Sequence, residues 1–328
     1  MAAYTTIDNP ELYFQTKLYT GNGSTQSITL DGDEDMQPDF LWIKDRDNAT
    51  SHQLVDVVRG SDEVLCADES YALTTDSNRV SSLDADGFSV GSNSNVNTDT
   101  ANIVSWCWKE SATAGFDIIS YTGDGSDRDL SHSLSASPEF IIIKQRSGSQ
   151  DWSTQSTALG LANYVILNDT NASAGTSGAL VDAVSSSTIS VDDNSYVNGN
   201  TSTYIGYLWR SVQGFSAMGK YTGNGNADGA FVYTGFKPAM VIQKMSSSAG
   251  YSWHIFDNKR DTYNPIDKRL FPDATDGDST STNVDFLSNG FKFRSTATGY
   301  NGSGNTFIYM AFAEAPFVNS NGVPCNAR

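Results

Sequence analysis

The chain has 328 residues, of which 20 are basic and 38 acidic, giving a formal net charge of −18. A surplus of that size repels phosphate backbones, which argues against a nucleic-acid partner, and it favours solubility. The 3 cysteines are odd in number and form no C-x-x-C pair, so neither a disulfide framework nor a zinc site is indicated.

In chain order, residues 1–18 precede any regular pattern and contain Glu11-Leu-Tyr-Phe-Gln15. They read either as an arm that docks on a neighbour or as the segment that completes the first unit. The opening ten residues lack the basic n-region and apolar core of a secretory signal. No apolar run is long enough to span a bilayer, so no membrane partner is expected. The chain is expected to stay in the cytoplasm that makes it, unless it assembles into a particle.

From Tyr19 onward one pattern recurs three times. Tyr19-Thr-Gly-Asn-Gly23, Tyr121-Thr-Gly-Asp-Gly125 and Tyr221-Thr-Gly-Asn-Gly225 open the copies. Pro38-Asp-Phe-Leu-Trp-Ile-Lys44, Pro138-Glu-Phe-Ile-Ile-Ile-Lys144 and Pro238-Ala-Met-Val-Ile-Gln-Lys244 follow. Next come the short segments Gly87-Phe-Ser-Val90, Thr188-Ile-Ser-Val191 and Gly290-Phe-Lys-Phe293. The dipeptides Val96-Asn97, Val197-Asn198 and Tyr300-Asn301 lie in the loops behind them. Each copy closes on an aromatic strand: Ile103 to Trp108, Tyr204 to Trp209 and Phe307 to Phe312. The first two copies hand over through Gly115-Phe116 and Gly214-Phe215.

A repeat is established before any fold is assigned. The pattern predicts an arm at 1–18, β units at 19–110, 111–212 and 213–315, and a tail at 316–328. The runs are short, rich in Val, Ile, Phe, Tyr and Trp, and bounded by Gly, Asn, Asp and Ser. Tyr-Thr-Gly-Asn-Gly reads as a tight hairpin turn, because Asn and Gly tolerate positive φ. The continuous Phe140-Ile-Ile-Ile143 suits a strand covered on both faces. Trp42, Trp106, Trp108, Trp209 and Cys107 are expected in the core. The best helix candidates, around Asp8 to Gln15 and Ala158 to Ala162, are short. The expected fold class is therefore all-β, three tandem antiparallel sandwich or jelly-roll-like repeats of about 100 residues, each long enough to bury a core. A string of beads and a compact pseudo-threefold unit both satisfy the repeat.

Charge is uneven along the copies. Residues 19–110 hold 5 basic and 17 acidic residues, residues 111–212 hold 4 and 10, and residues 213–315 hold 9 and 9. Either this is drift on a solvated face, or the units face different partners.

No catalytic constellation stands out. The histidines His52, His132 and His254 lack ligand spacing, and no G-x-S-x-G elbow is present. His52 and His254 are placed at similar positions in units one and three, which reads as structural. Asp31-Gly-Asp33-Glu34-Asp35 alternates carboxylates as a calcium loop does, but Met36 stands where such a loop needs glycine. Asp273-Ala-Thr-Asp276-Gly-Asp278 is similar, and both read as solvated tips. Neither a metal nor a cofactor is expected. The stretch Tyr251 to Arg260, with Tyr263 to Phe271 after it, is basic, aromatic and without a close equivalent in the other units. It nominates Trp253, His254, Lys259, Arg260, Tyr263, Lys268 and Arg269 as contacts for a partner or receptor.

The combination of Tyr-Thr-Gly-Asn-Gly, Pro-Asp-Phe-Leu-Trp-Ile-Lys, Asp-Gly-Phe-Ser-Val and Trp-Cys-Trp-Lys resembles an uncharacterised domain family in virion proteins of tailed bacteriophages, especially marine ones. The segment Gly225 to Pro238, Tyr263-Asn-Pro265, Asp285 to Phe291 and the opening Met1 to Gln15 are similar to it too. The resemblance implies a non-enzymatic structural or adhesive role on a virion and transfers no catalytic residues. The expected function is a tail fibre or receptor-binding component that mediates host attachment. Its expected partners are other virion proteins, further copies of itself and a host surface glycan. A capsid decoration protein clamping capsomers is the second reading. A polysaccharide-degrading, tailspike-like enzyme would need two paired carboxylates in one cleft, and nothing singles out such a pair.

Overall fold

Phe140–Gln145 shows how the chain is put together. Phe140 and Ile142 enter one apolar core, while Ile141 and Ile143 enter another. A strand covered on both faces needs no polar alternation, hence the continuous run. In the computed structural model, which describes residues 4–175, 180–280 and 284–326, this strand is third in a six-stranded antiparallel sheet. The order is Phe116–Thr122, Thr203–Trp209, Phe140–Gln145, Ser153–Ser156, Asn163–Ile166, Ala174–Gly175. Residues 1–3 of the expected arm and 327–328 of the tail lie outside the described residues.

A second sheet has the same order, strand for strand: Phe14–Thr20, Asn102–Trp108, Phe40–Asp45, Gln53–Asp56, Gly60–Cys66, Thr74–Thr75. The third contains Ser216–Thr222, Thr306–Pro316, Phe236–Met245 and His254–Asp257. Leu270 bridges Ile255 where the other two sheets have a fifth strand. The register also matches, since Phe40, Phe140 and Met240 lie opposite Trp108, Trp209 and Phe312.

Three small sheets complete the sandwiches: Gln26–Ile28 with Gly87–Val90 and Val80–Asp84, Arg128–Ser131 with Thr188–Val191 and Val181–Val184, and Phe231–Tyr233 with Gly290–Phe293 and Val284–Leu287. Each large sheet buries one face against its small sheet, giving three separate cores. The opposite faces of all three large sheets meet in a fourth. There the Phe40 ring lies 4.4 Å from Tyr207, Phe140 6.5 Å from Trp253, and Phe14 5.0 Å from Phe312. Such pairs add about 0.5–1.5 kcal/mol each beyond their buried area. The expected all-β sandwich architecture holds, and the sandwiches share a core rather than standing apart as beads. Trp42, Trp106, Trp108, Trp209 and Cys107 are buried, as expected.

Two local expectations change. Tyr-Thr-Gly-Asn-Gly is not a hairpin turn: Phe14–Thr20 lies in a large sheet and Gln26–Ile28 in a small one, so the turn crosses between sheets. Positive φ is needed there nonetheless, at Gly23 (66°), Gly125 (70°) and Gly225 (65°). A Cβ on Gly21 would come within 2.0 Å of the Thr98 carbonyl, so the first glycine is required by close approach. The helix candidates also differ. Within Asp8 to Gln15 only Pro10–Leu12 is a 3-10 turn, and Ala158 to Ala162 is turn and coil. The α-helical turns are Ser94–Asn97 and Thr298–Asn301, which carry the Val-Asn and Tyr-Asn dipeptides.

The end of the arm joins the first large sheet, because Phe14–Thr20 pairs with Asn102–Trp108 as Phe116–Thr122 pairs with Thr203–Trp209. Earlier residues reach the start of the third unit and the tail of the same chain. Thr5 Oγ1 donates to the Gln213 carbonyl at 2.8 Å, and Asp8 accepts from the Ser320 amide at 2.7 Å.

Candidate functional site

Polar side chains bolt the sandwiches together inside the shared core. Asp56 and Arg59 form a buried ion pair at 2.5 Å, and Tyr207 of the second sandwich donates to Asp56 at 2.7 Å. In the third sandwich Asp257 pairs with Arg260 at 2.6 Å, and Trp106 of the first donates its indole N–H to Asp257 at 3.2 Å. Equivalent positions in the second sandwich hold Ser156 and Leu159, and Met310 of the third holds the register position of Trp106 and Tyr207. A second set of bonds runs in the same sense. Trp152 donates to the Cys66 carbonyl and Trp253 to the Ile166 carbonyl, each at 2.9 Å.

The lysines that mark the repeat are also interior. Lys44 donates to the Asp45 and Asn48 carbonyls, Lys144 to those of Gln145, Gly148 and Ser70, and Lys244 to that of Tyr251. Burial pushes each ammonium down to about 8. Each acts as a clasp on the loop that follows its own strand.

The seven nominated contacts separate into three groups. Trp253, His254 and Arg260 are buried. Trp253 seals the joint with the second sandwich, and Arg260 is held by Asp257 and by Asp278 at 2.8 Å. Arg269 stacks over Phe271 and Tyr300, and Lys268 pairs with Asp261 at 3.4 Å. Lys259 and Tyr263 face outward, Tyr263 being 81% exposed. The stretch does have an equivalent in the first unit, contrary to expectation: Asp56-x-x-Arg59 matches Asp257-x-x-Arg260 in register and pairing.

Sequence reasoning missed a further surface feature of the third sandwich. On Phe231–Tyr233, Val232 is buried while Phe231 and Tyr233 are 46% and 56% exposed. The corresponding outward positions are Ser27 and Thr29 in the first small sheet, and Asp129 and Ser131 in the second. Tyr233 lies opposite Gly290, which lies opposite Leu287 on the third strand. Asn264, the residue after exposed Tyr263, exchanges two hydrogen bonds with the Phe286 backbone, at 2.8 and 2.9 Å, at the outer edge of the third strand. The result is an outer sheet face with the exposed rings of Phe231 and Tyr233 on one side and the segment of exposed Tyr263 beyond its other edge. Lys292 and Arg294 accompany it, paired with Asp228 and Asp285. The signal available in the sequence was Ala230-Phe-Val-Tyr233, apolar at outward positions where the other copies are polar.

The family described as Domain of unknown function (DUF7483) matches residues 9–316. The chain belongs to that family. No curated protein matches the chain. The DUF7483 match takes in every described strand, from Phe14 to Pro316, so the family is defined on the whole three-sandwich body.

In this DUF7483 chain the two buried histidines are not equivalents. His254 stands where Gln53 and Ser153 stand, and His52 where Trp152 and Trp253 stand. One residue of shift on a strand reverses the face. His52 Nδ1 accepts from the Trp42 indole at 2.9 Å, and His254 Nδ1 faces the Gln243 amide at 2.8 Å. Burial holds His52 well below its ordinary value and His254 down to about 3, with Arg269 and Lys244 adding to the latter. The acidic loops are tied internally. Asp31 pairs with Lys17, Asp273 accepts from the Trp253 amide, and Asp278 pairs with Arg46 and Arg260. Among the described residues no group of three or more His, Cys, Asp or Glu is placed to hold a metal ion. A cleft beside the first sandwich is lined by Cys66, Glu69, Tyr71 and Arg79, and burial pushes the Cys66 thiol up, away from nucleophilic character.

Proposed function

We propose that this chain is a non-enzymatic structural protein of a tailed-phage particle, working by surface contact as a tail fibre or receptor-binding component. The observation that carries the reading is the division of labour among side chains. The repeat-marking lysines and the buried Asp–Arg pairs are engaged in internal bonds, whereas the exposed aromatic departures Phe231, Tyr233 and Tyr263 lie on the third sandwich. A rigid body with one distinctive face suits presentation on a symmetric particle, with several copies acting together. The motif resemblance to virion proteins supports the same setting.

Immunogold labelling or cryo-EM of purified particles tests this. Density on the tail supports host attachment. Density on the head replaces it with capsid decoration, and absence from particles overturns both. Incubation with host polysaccharide is expected to release no reducing ends; release would favour a tailspike-like enzyme instead.

A further inference from the structure

We propose that the outer face of the third small sheet is a binding site for an uncharged saccharide, about one or two pyranose rings of a longer chain. The inference deepens the attachment reading and rests on it for its biological setting.

Phe231 and Tyr233 project from one strand on either side of buried Val232, which spaces them about 7 Å apart. Across the sheet from Tyr233 the floor is Gly290, and a Cβ there would come within 3.1 Å of the Phe231 ring. The Phe231 ring therefore leans over a position with no side chain. Leu287 lies opposite Gly290 on the next strand, and exposed Tyr263 precedes Asn264, whose side chain bonds the Phe286 backbone at that strand's outer edge. The rim is set before any ligand arrives. The Tyr233 hydroxyl meets that of Tyr4 at 3.2 Å, which in turn donates to the Gly235 carbonyl at 2.9 Å.

Size and charge select the occupant. The exposed fractions of Phe231, Tyr233 and Tyr263 correspond to roughly 350 Å² of aromatic surface. A stable protein partner needs about 800 Å² on each side. A pyranose ring needs less: an apolar C–H face to lie on an aromatic ring, and hydrogen-bonding groups for its hydroxyls. Lys292, Arg294, Asp228 and Asp285 supply those groups, and two cations against two carboxylates favour no ligand charge. The first two small sheets carry Ser27, Thr29, Asp129 and Ser131 at the outward edge positions and serve as internal controls.

The experiment uses the full chain on a printed array of glucose-, galactose- and mannose-terminated oligosaccharides. At least one class is expected to bind. Phe231→Ala and Tyr263→Ala are each expected to weaken that binding at least tenfold with an unchanged thermal midpoint, and Ser27→Ala to leave it intact. Tyr263 is exposed enough that its replacement tests the site without testing the fold. Failure of all three sugars to bind, or binding indifferent to both aromatic replacements, overturns the proposal. A chain found on particles that binds none of them overturns this inference alone. Sugar binding by a chain absent from particles overturns the virion reading alone.

Discussion

The Tyr19 hydroxyl donates to the Val96 carbonyl over 2.7 Å, joining residues 77 positions apart. Tyr121 does the same to Val197 and Tyr221 to Tyr300, at 2.5 and 2.8 Å. The next residue in each case is an asparagine whose side-chain oxygen accepts from the amide of the crossover turn, at Asn22, Asp124 and Asn224. Two motifs that recur separately in the sequence are thus the two halves of one joint. The joint fixes where the chain leaves a large sheet for a small one.

Removing the asparagine is therefore expected to be costly. Asn97 is fully buried and donates to the Gly91 and Ser24 carbonyls at 2.7 and 2.5 Å, besides accepting from Asn22. Asn97→Ala leaves those groups without partners, a loss of about 2–4 kcal/mol. Urea unfolding followed by far-UV circular dichroism should show a lower midpoint. An unchanged midpoint would show that solvent replaces the bonds freely.

The buried Asp56–Arg59–Tyr207 group gives a second expectation. Arg59→Leu alone strands a buried carboxylate and should destabilise by about 3–5 kcal/mol. The second sandwich solves the same position with Ser156 and Leu159. The triple replacement Asp56→Ser, Arg59→Leu, Tyr207→Phe removes every member of the group together and should recover most of that loss. Calorimetric midpoints of the single and triple variants decide it. A triple variant no better than Arg59→Leu would show that the ion pair itself is indispensable.

Much of this arrangement was legible because its physics is local. Pro38 and Pro138 precede strands while Pro238 sits inside Phe236–Met245 at a register shift, Gly23, Gly125 and Gly225 carry positive φ, and Phe140 to Ile143 is apolar throughout because two cores cover it. What covers the second face was not legible, since contacts such as Phe40 on Tyr207 join distant copies. The stretch around Trp253 and Arg260 looked like a surface because it is basic and aromatic. Its charge is instead cancelled by Asp257 and Asp278 and its indole is sealed in a joint. The spacing Asp56-x-x-Arg59, repeated at Asp257-x-x-Arg260, was the available clue. Pairing His52 with His254 was an error of one residue, which on a strand amounts to the wrong face.

His254 supplies a pH test with a definite sign. Its folded-state value lies at about 3, below the ordinary 6.5, chiefly through burial. The unfolded chain therefore takes up the proton first as pH falls. The contribution to stability is fully present above about pH 6.5 and is lost below it, at about 1.4 kcal/mol per pH unit. His254→Gln, the residue found at equivalent position 53, cannot titrate. The stability of this variant relative to the parent should rise as pH drops from 7 to 5, read from urea midpoints at each pH. A constant difference would place His254 in contact with solvent.

Thr100 and Thr201 hold φ of 64° and 63°, in the left-handed region that a β-branched residue adopts at a cost. Their amides donate to the Gly21 and Gly123 carbonyls, and in the third sandwich the same bond, to Gly223, comes from Gly304 at φ 74°. The third copy thus already carries the unstrained solution. Thr100→Gly should relieve about 1–2 kcal/mol of strain. Part of that is returned through the greater freedom of glycine in the unfolded chain, for a net gain of about 0.5 kcal/mol. Adding Thr201→Gly should give a second increment of similar size, because the sites lie in different sandwiches and share no partner. The thermal midpoint of the double variant against each single one measures both claims. A fall in midpoint would mean that the Thr100 hydroxyl, which donates to the Asp99 carbonyl at 2.6 Å, is worth more than the strain it accompanies.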